Sequence, residues 1–355
     1  MKKDICIVAD VPGWAFDSIA KKLQKELSEK YNIDIEYYDR RAQANEFFEF
    51  VEKVKKYDLI HFLNRRMLLH IGSETFKEKV KKHGYEYNQY VKELKNKFTT
   101  SVYDYMDINE NGIIEHTPIF NTYTKMYYTV TKKLLDIYSN INSYPKPYGL
   151  VHDICDEKLY YPKNLERFNY ENISNRKIII GWVGNSLHSG DVGNDLKGFH
   201  TIIHPVIDEL KNEGYELEEY LADRNITWRT PEEMPDYYNE IDICICASVH
   251  EGTPRPVLES MHCGVPLIST DVGMVPEAFG KKQATFNIGD RENGKNDEII
   301  KQRLKEKIIE LYNNRHMFKE LSDENIESIK KFDGGKTLKS FDKFFETCLN
   351  NNIME

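Results

Sequence analysis

The segment between residues 241 and 268 constrains the fold more than any other. Residues 241–247 form an apolar run that reads as a buried strand. Thr253 suits an N-cap, Pro254 the first helical residue and Gly264 the C-terminal stop, so a short helix is expected over 254–263. A second apolar run, 265–268, follows at once. Strand, turn, helix, strand is a βαβ unit, and it commits the chain to a parallel sheet. The same alternation runs through the rest of the sequence. Strands are expected at 4–10, 33–38, 58–63, 98–104, 125–131, 177–184 and 215–221, with helices at 17–30, 44–56, 199–213 and 234–242 between them. Two or three amphipathic helices are expected over 298–349.

A chain of 355 residues suits two domains, each with its own core. The expected division is an N-terminal domain over 1–162, a polar linker over 163–176 and a second domain over 177–330. The last segment, 331–355, is expected to be a helix crossing back to the first domain. A net charge of -9 argues against nucleic acid as a partner. No run reaches the length of a membrane span, and Met1-Lys-Lys leads straight into a strand, so a cytoplasmic protein is expected. The six cysteines fall mostly in apolar strands or a helix, and Cys244-x-Cys246 lacks zinc spacing. They read as reduced core thiols, and no metal ligands are assigned.

The chemistry is expected at the start of the 254–263 helix. A helix N-terminus offers free N–H groups and the positive end of a dipole, and Gly252 lets a ligand approach the backbone. Pro254 and Pro256 delete two of those donors, and the Arg255 guanidinium suits a phosphate in compensation. Glu259 lies one turn beyond Arg255, and Glu251 sits on the preceding turn. Two carboxylates beside an anion site fit a phosphate flanked by hydroxyls, which describes a nucleotide sugar. The plainer alternative is an exposed turn before an amphipathic helix with two solvated glutamates.

Two other loops leave strands at the carboxyl end. Gly184 and Asn185 open a polar loop to Gly198, with Gly190 and Gly193 inside it, whose backbone could wrap phosphates. Gly13 follows the first strand, but no G-x-G-x-x-G accompanies it, which disfavours a dinucleotide enzyme. Over 74–97, seven lysines outnumber four glutamates and interleave with Tyr85, Tyr87 and Tyr90. That segment reads either as a solvated helical face or as a peripheral contact with anionic head groups at the inner face of a membrane.

The stretch Glu251-Gly-Thr-Pro-Arg-Pro-Val-Leu-Glu259, with Met261, Cys263-Gly264, Pro266, Thr270-Asp-Val-Gly273 and Pro276-Glu277, resembles the Glu-x7-Glu signature of family 4 glycosyltransferases. Lys197-Gly198 resembles that family's Lys-Gly, and Asp156, Tyr160 and Pro162 its interdomain segment. The resemblance is strong over about 175–280, recognisable over 148–162, and earlier lies mostly in strand–helix order. It implies a retaining enzyme of GT-B architecture, with two Rossmann-like doubly wound domains facing across a cleft. It further implies Lys197 on a donor diphosphate, Glu259 on ribose, and Glu251 with the backbone of Gly252, Thr253, Pro254 and Arg255 on sugar and phosphate, with Pro256 and Val257 also at the donor site. Thr227 and Trp228, in a strand at 226–229, would read the base. Tyr103-Asp104 resembles the family's His-Asp pair, with tyrosine in place of histidine. Gly13 would lie near the donor. The expected substrates are a nucleotide-diphosphate sugar, UDP-sugar as first choice, and a saccharide or glycolipid acceptor in cell-surface polysaccharide synthesis. No Asp-x-Asp occurs, so transfer without a metal or other cofactor is expected. The alternatives are a GT-B-type epimerase and a non-catalytic partner protein that keeps the nucleotide-sugar fold.

Overall fold

The computed structural model describes residues 1–39, 44–187 and 195–350. The chain divides into two compact units: Met1–Ile154 with Gly335–Glu355, and Cys155–Gly334. The division therefore falls at Ile154, ahead of the expected 162.

The first unit is built on five parallel strands, β1 (Lys3–Ala9), β2 (Tyr31–Tyr37), β3 (Leu59–Phe62), β4 (Phe98–Val102) and β5 (Met126–Thr129), in the order β2-β1-β3-β4-β5. Ile5, Cys6, Ile7, Val8 and Ala9 of β1 are all fully buried. A strand covered by helices on both faces needs such an unbroken apolar run, because neither face meets water. The chain passes from β1 to β2 on one side and returns to β3 on the other. This reversal opens a crevice at the carboxyl ends of β1 and β3. The last helix, Gly334–Asn350, completes this core with the buried Phe341, Phe344, Phe345 and Cys348. Phe344 packs edge-on against Tyr128 at 4.9 Å and Tyr148 at 5.2 Å.

Beneath that helix His61 is fully buried, its ring nitrogens bonded to Thr99 Oγ1 at 3.0 Å and Tyr128 Oη at 3.2 Å. Burial alone pushes its pKa down to about 3. The basic segment 74–97 forms two helices, Glu74–Lys82 and Tyr87–Lys95. Its aromatic residues do not form an outward stripe. Tyr90 is buried and donates to Glu52, and Tyr87 donates to the Ile71 carbonyl.

The second unit carries four parallel strands, β6 (Ile178–Gly184), β7 (Leu217–Asp223), β8 (Ile243–Cys246) and β9 (Leu267–Ser269), in the order β7-β6-β8-β9. The expected linker belongs to this unit. Phe168 and Ile173 from it are fully buried in the unit's core. Arg176 pairs with Asp242 at 2.6 Å, which accounts for a carboxylate in the otherwise apolar run at 241–247. The expected strand at 226–229 is absent: β7 ends at Asp223 and the chain turns there. Thr227 Oγ1 donates to the Leu221 carbonyl and accepts from the Asp223 amide, and such a side-chain lock competes with strand pairing. Among the described residues no helix is long and apolar enough to cross a membrane.

Two measurements probe the first unit. Phe344→Ala should cost about 3–5 kcal/mol in urea unfolding, since it empties an aromatic-lined core site. An unfolded His61 takes up a proton near its ordinary 6.5, the folded one only near 3. Between those values the unfolded state binds more protons, so stability falls as pH falls. Replacing His61 with Gln should flatten the decline between pH 6.5 and 4 relative to the unaltered protein.

Candidate functional site

In the second unit the chain leaves β6 for β7 on one side and returns to β8 on the other. The switch point thus lies between the carboxyl ends of β6 and β8, where open α/β sheets bind ligands. Two charged side chains meet there. Lys197, from the segment after β6, forms an ion pair with Glu251, from the loop after β8. Ser248 Oγ donates to the same carboxylate oxygen, Oε1, at 2.8 Å. Burial works against the Lys197 charge, but the adjacent Glu251 carboxylate more than offsets it and holds the ammonium above the usual lysine range.

The backbone around this pair is closely interlocked. Gly198 is left-handed at φ +69, and a Cβ on it would lie 2.5 Å from the Ala247 carbonyl oxygen. Gly273, at φ +50, crosses Gly252 so closely that a Cβ would come within 1.8 Å of the Gly252 oxygen. The Val249 amide donates to Leu196, and the Thr270 hydroxyl to Ser248.

The helix after Glu251 spans Arg255–His262. Its N-cap is Pro254, without a side-chain cap, so the expected Thr253 cap is replaced. The Thr253 hydroxyl is buried with no hydrogen-bond partner among the described residues. The amides of Val257 and Leu258 both turn back to the Pro254 carbonyl, and Pro256 has none. The helix start therefore has few N–H groups for an anion. Arg255 directs Nε and Nη2 to Glu259 Oε1, at 3.1 and 2.9 Å. Tyr238 donates to Glu259 Oε2 at 2.8 Å, so the buried Glu259 is already engaged at both oxygens. Val257 is a core residue, fully buried.

At the end of β6, Asn185 Oδ1 accepts from the Asn225 side chain at 2.8 Å and the Gly184 carbonyl from the Arg224 amide at 2.9 Å. Gly190 and Gly193 lie outside the described residues. Trp228 stands 63% exposed on the turn after β7, with Ile226 at 70% beside it.

In the first unit, Gly13 is left-handed at φ +79 and its amide donates to the buried Asp17 at 2.7 Å. Tyr103 lies just beyond β4 and donates to Asp153 at 2.6 Å. Burial, then the Asp153 carboxylate, push its pKa well above the ordinary tyrosine range, so it stays a neutral donor. Asp104 pairs with Arg65 at 2.8 Å and Arg66 at 3.0 Å. Burial opposes its charge, but the two guanidinium groups hold it well below the usual carboxylate range. His116 and His61 are buried in the same unit, and His116 Nδ1 bonds the Gly112 carbonyl.

Sequence reading missed Arg65, Arg66, Asp153 and Ser248. Their partners are distant in the chain, except for Ser248, three residues before Glu251. It also missed His204, Asp208 and Glu219, whose ligand atoms lie within 4.8 Å of one another. His204 Nδ1 is hydrogen-bonded to Glu219 at 3.0 Å and its Nε2 lies 3.3 Å from Asp208 Oδ2, which accounts for the grouping without an ion.

Residues 198–314 match a family model described as glycosyl transferases group 1. A putative teichuronic acid biosynthesis glycosyltransferase, TuaC, from Bacillus subtilis (strain 168) is 28% identical over 134 residues, 36% of this chain. The match covers 31% of that relative's length. Among solved structures, Anabaena Alr3699/HepE in complex with UDP-glucose superposes with a TM-score of 0.63 at 12% identity, covering 97% of this chain and 100% of that one. Sucrose-phosphate synthase from Thermosynechococcus elongatus gives 0.63 at 12% identity, covering 98% and 99%. The fold is GT-B, with two Rossmann-like domains.

The Lys197–Glu251 pair yields a pH prediction. The folded pKa of Lys197 lies above its unfolded 10.5, so the pair's stabilisation is fully present below pH 10.5 and is lost as pH rises through the folded value. Glu251→Gln should cost about 1–3 kcal/mol in urea unfolding at pH 8. The difference from the unaltered protein should shrink in melts run above pH 10.5.

Proposed function

We propose that this protein is a retaining glycosyltransferase that moves a hexose from a nucleotide-diphosphate sugar, UDP-sugar first among them, to a saccharide or glycolipid acceptor. The observation that carries the reading is the Lys197–Glu251 pair at the switch point of the second unit's sheet. A cation and a carboxylate in contact suit a diphosphate and a sugar hydroxyl as replacement partners. When donor binds, Lys197 turns to the diphosphate, and Glu251, still held by Ser248, accepts from the sugar. Cell-surface polysaccharide synthesis is the favoured setting, in keeping with the teichuronic acid relative.

Charge accumulates on the diphosphate as the glycosidic bond breaks. A preorganised ammonium in a partly dry site stabilises that charge more than water does. Lys197 is such a group, and it makes the reading metal-independent. The departing phosphate oxygen takes the acceptor's proton on the same face, so no protein base is assigned. Glu259 serves the ribose only by giving up part of its contact with Arg255 or Tyr238, and a freed Arg255 would then face the phosphates. Trp228 offers a nucleobase an exposed aromatic face. The first unit is left to hold the acceptor, near the Tyr103–Asp153 pair.

The commitment of the Tyr103 hydroxyl to Asp153 favours the rival reading, a non-catalytic partner protein. One experiment separates the two. Thermal shifts against UDP, GDP, ADP and CDP, with and without EDTA, should single out one nucleotide, UDP first, and be insensitive to EDTA. Ligand at a hundred times its dissociation constant adds about 2.7 kcal/mol, enough for a shift of several degrees. Glu251→Ala should then abolish sugar transfer while leaving nucleotide binding within about tenfold. No shift with any nucleotide would discard the donor site and leave the partner reading.

A further inference from the structure

Outside the residues considered so far, one buried charge is tied to the candidate site. Arg291 lies in the loop before the helix Asp297–Asn313 and is 2% exposed. Its Nη1 donates to two backbone carbonyls, Asp195 and Ala247, each at 3.0 Å. Its Nε and Nη2 donate to the Asp297 carboxylate at 2.9 and 2.6 Å. The two carbonyls belong to the two segments that carry the charged pair: Asp195 is two residues before Lys197, and Ala247 four before Glu251.

We infer that Arg291 is a positioning residue, a clamp that fixes the distance between the Lys197 segment and the Glu251 loop for the reaction proposed above. Three contacts close the gap between these segments. Arg291 Nη1 bridges their carbonyls, the Val249 amide reaches Leu196, and Gly198 lies against Ala247. The missing Cβ at Gly198 matters to the clamp itself, since an atom there would also meet Arg291 Nη1 at 3.1 Å. Asp297 is the counterpart that makes a buried guanidinium tolerable, and its two-point bond sets the plane of the fork. Lysine cannot take this role. Its ammonium lacks the planar fork that serves a carboxylate on one edge and two carbonyls on the other.

The inference rests on the glycosyltransferase reading, and the test keeps the two apart. Arg291→Lys and Asp297→Asn are compared with the unaltered protein in UDP-sugar turnover, thermal midpoint and hydrogen exchange of the Val249 amide. A clamp predicts a fall in kcat on the order of 100-fold for Arg291→Lys, with donor KM changed less than about threefold, because the geometry of charge stabilisation is lost and not the donor contacts themselves. Asp297→Asn, which keeps the carbonyl bonds, should fall between. Exchange at Val249 should rise in both variants while the rest of the second unit keeps its protection. Unchanged kcat in both variants overturns the inference, and so does a loss that merely follows a lowered midpoint across the whole unit. Should Arg291→Lys fail to fold, Asp297→Asn decides by the same criteria. If the unaltered protein turns over no nucleotide sugar, the glycosyltransferase reading falls, and Val249 exchange alone decides whether Arg291 clamps the two segments.

Discussion

Parallel strands cannot be joined by hairpins, and the structure follows from that constraint. Each connection must run the length of the sheet, and a helix does so while covering a face. Both faces of β1 are therefore dry, and its residues from Ile5 to Ala9 are all apolar and fully buried. The loops that start each crossover all emerge at the carboxyl end of the sheet. Where the winding reverses, two of them diverge and leave room for a ligand. In the second unit those loops carry Lys197 and Glu251.

A second constraint acts throughout: charge taken from water needs a partner. Glu251 has Lys197, Glu259 has Arg255, Asp242 has Arg176, and Asp104 has Arg65 and Arg66. These pairs are not equivalent in kind. Asp242 also accepts from the Ile179 amide at 2.8 Å, and this fixes it as a brace for the sheet. Lys197 and Glu251 each keep some exposure, 26% and 18% for their side chains, and they meet at the switch point. A ligand can exchange partners with the second pair far more easily than with the first.

Much of this was legible beforehand. The strand–helix alternation located all nine strands of the described residues to within a few residues, because apolar runs of strand length bounded by turn residues have few other solutions. The C-terminal helices, expected as two or three, number three among the described residues. The errors came where a local signal had a tertiary competitor. Thr253 has the chemistry of an N-cap, yet Pro254 caps the helix. The Ile226-Thr-Trp-Arg stretch has strand-forming residues, but Thr227 closes a turn on Asp223 and Leu221. The 163–176 segment is polar enough for a linker, while Phe168 and Ile173 anchor it in a core.

The sequence by itself determined the class of fold, the position of the Glu251–Glu259 stretch on a turn and a short helix, and the presence of Lys197 on a glycine-bounded loop. These depend on local periodicity and on residues close together in the chain. Only the tertiary structure decided which charges meet. Arg255 lies against Glu259, and Tyr103 donates to Asp153, fifty residues away. Arg291 carries no local sign of its role, since the carbonyls it bridges belong to Asp195 and Ala247, far from it and from each other in the chain. Pairing across such separations depends on the winding order of the sheet, and no window of sequence contains it.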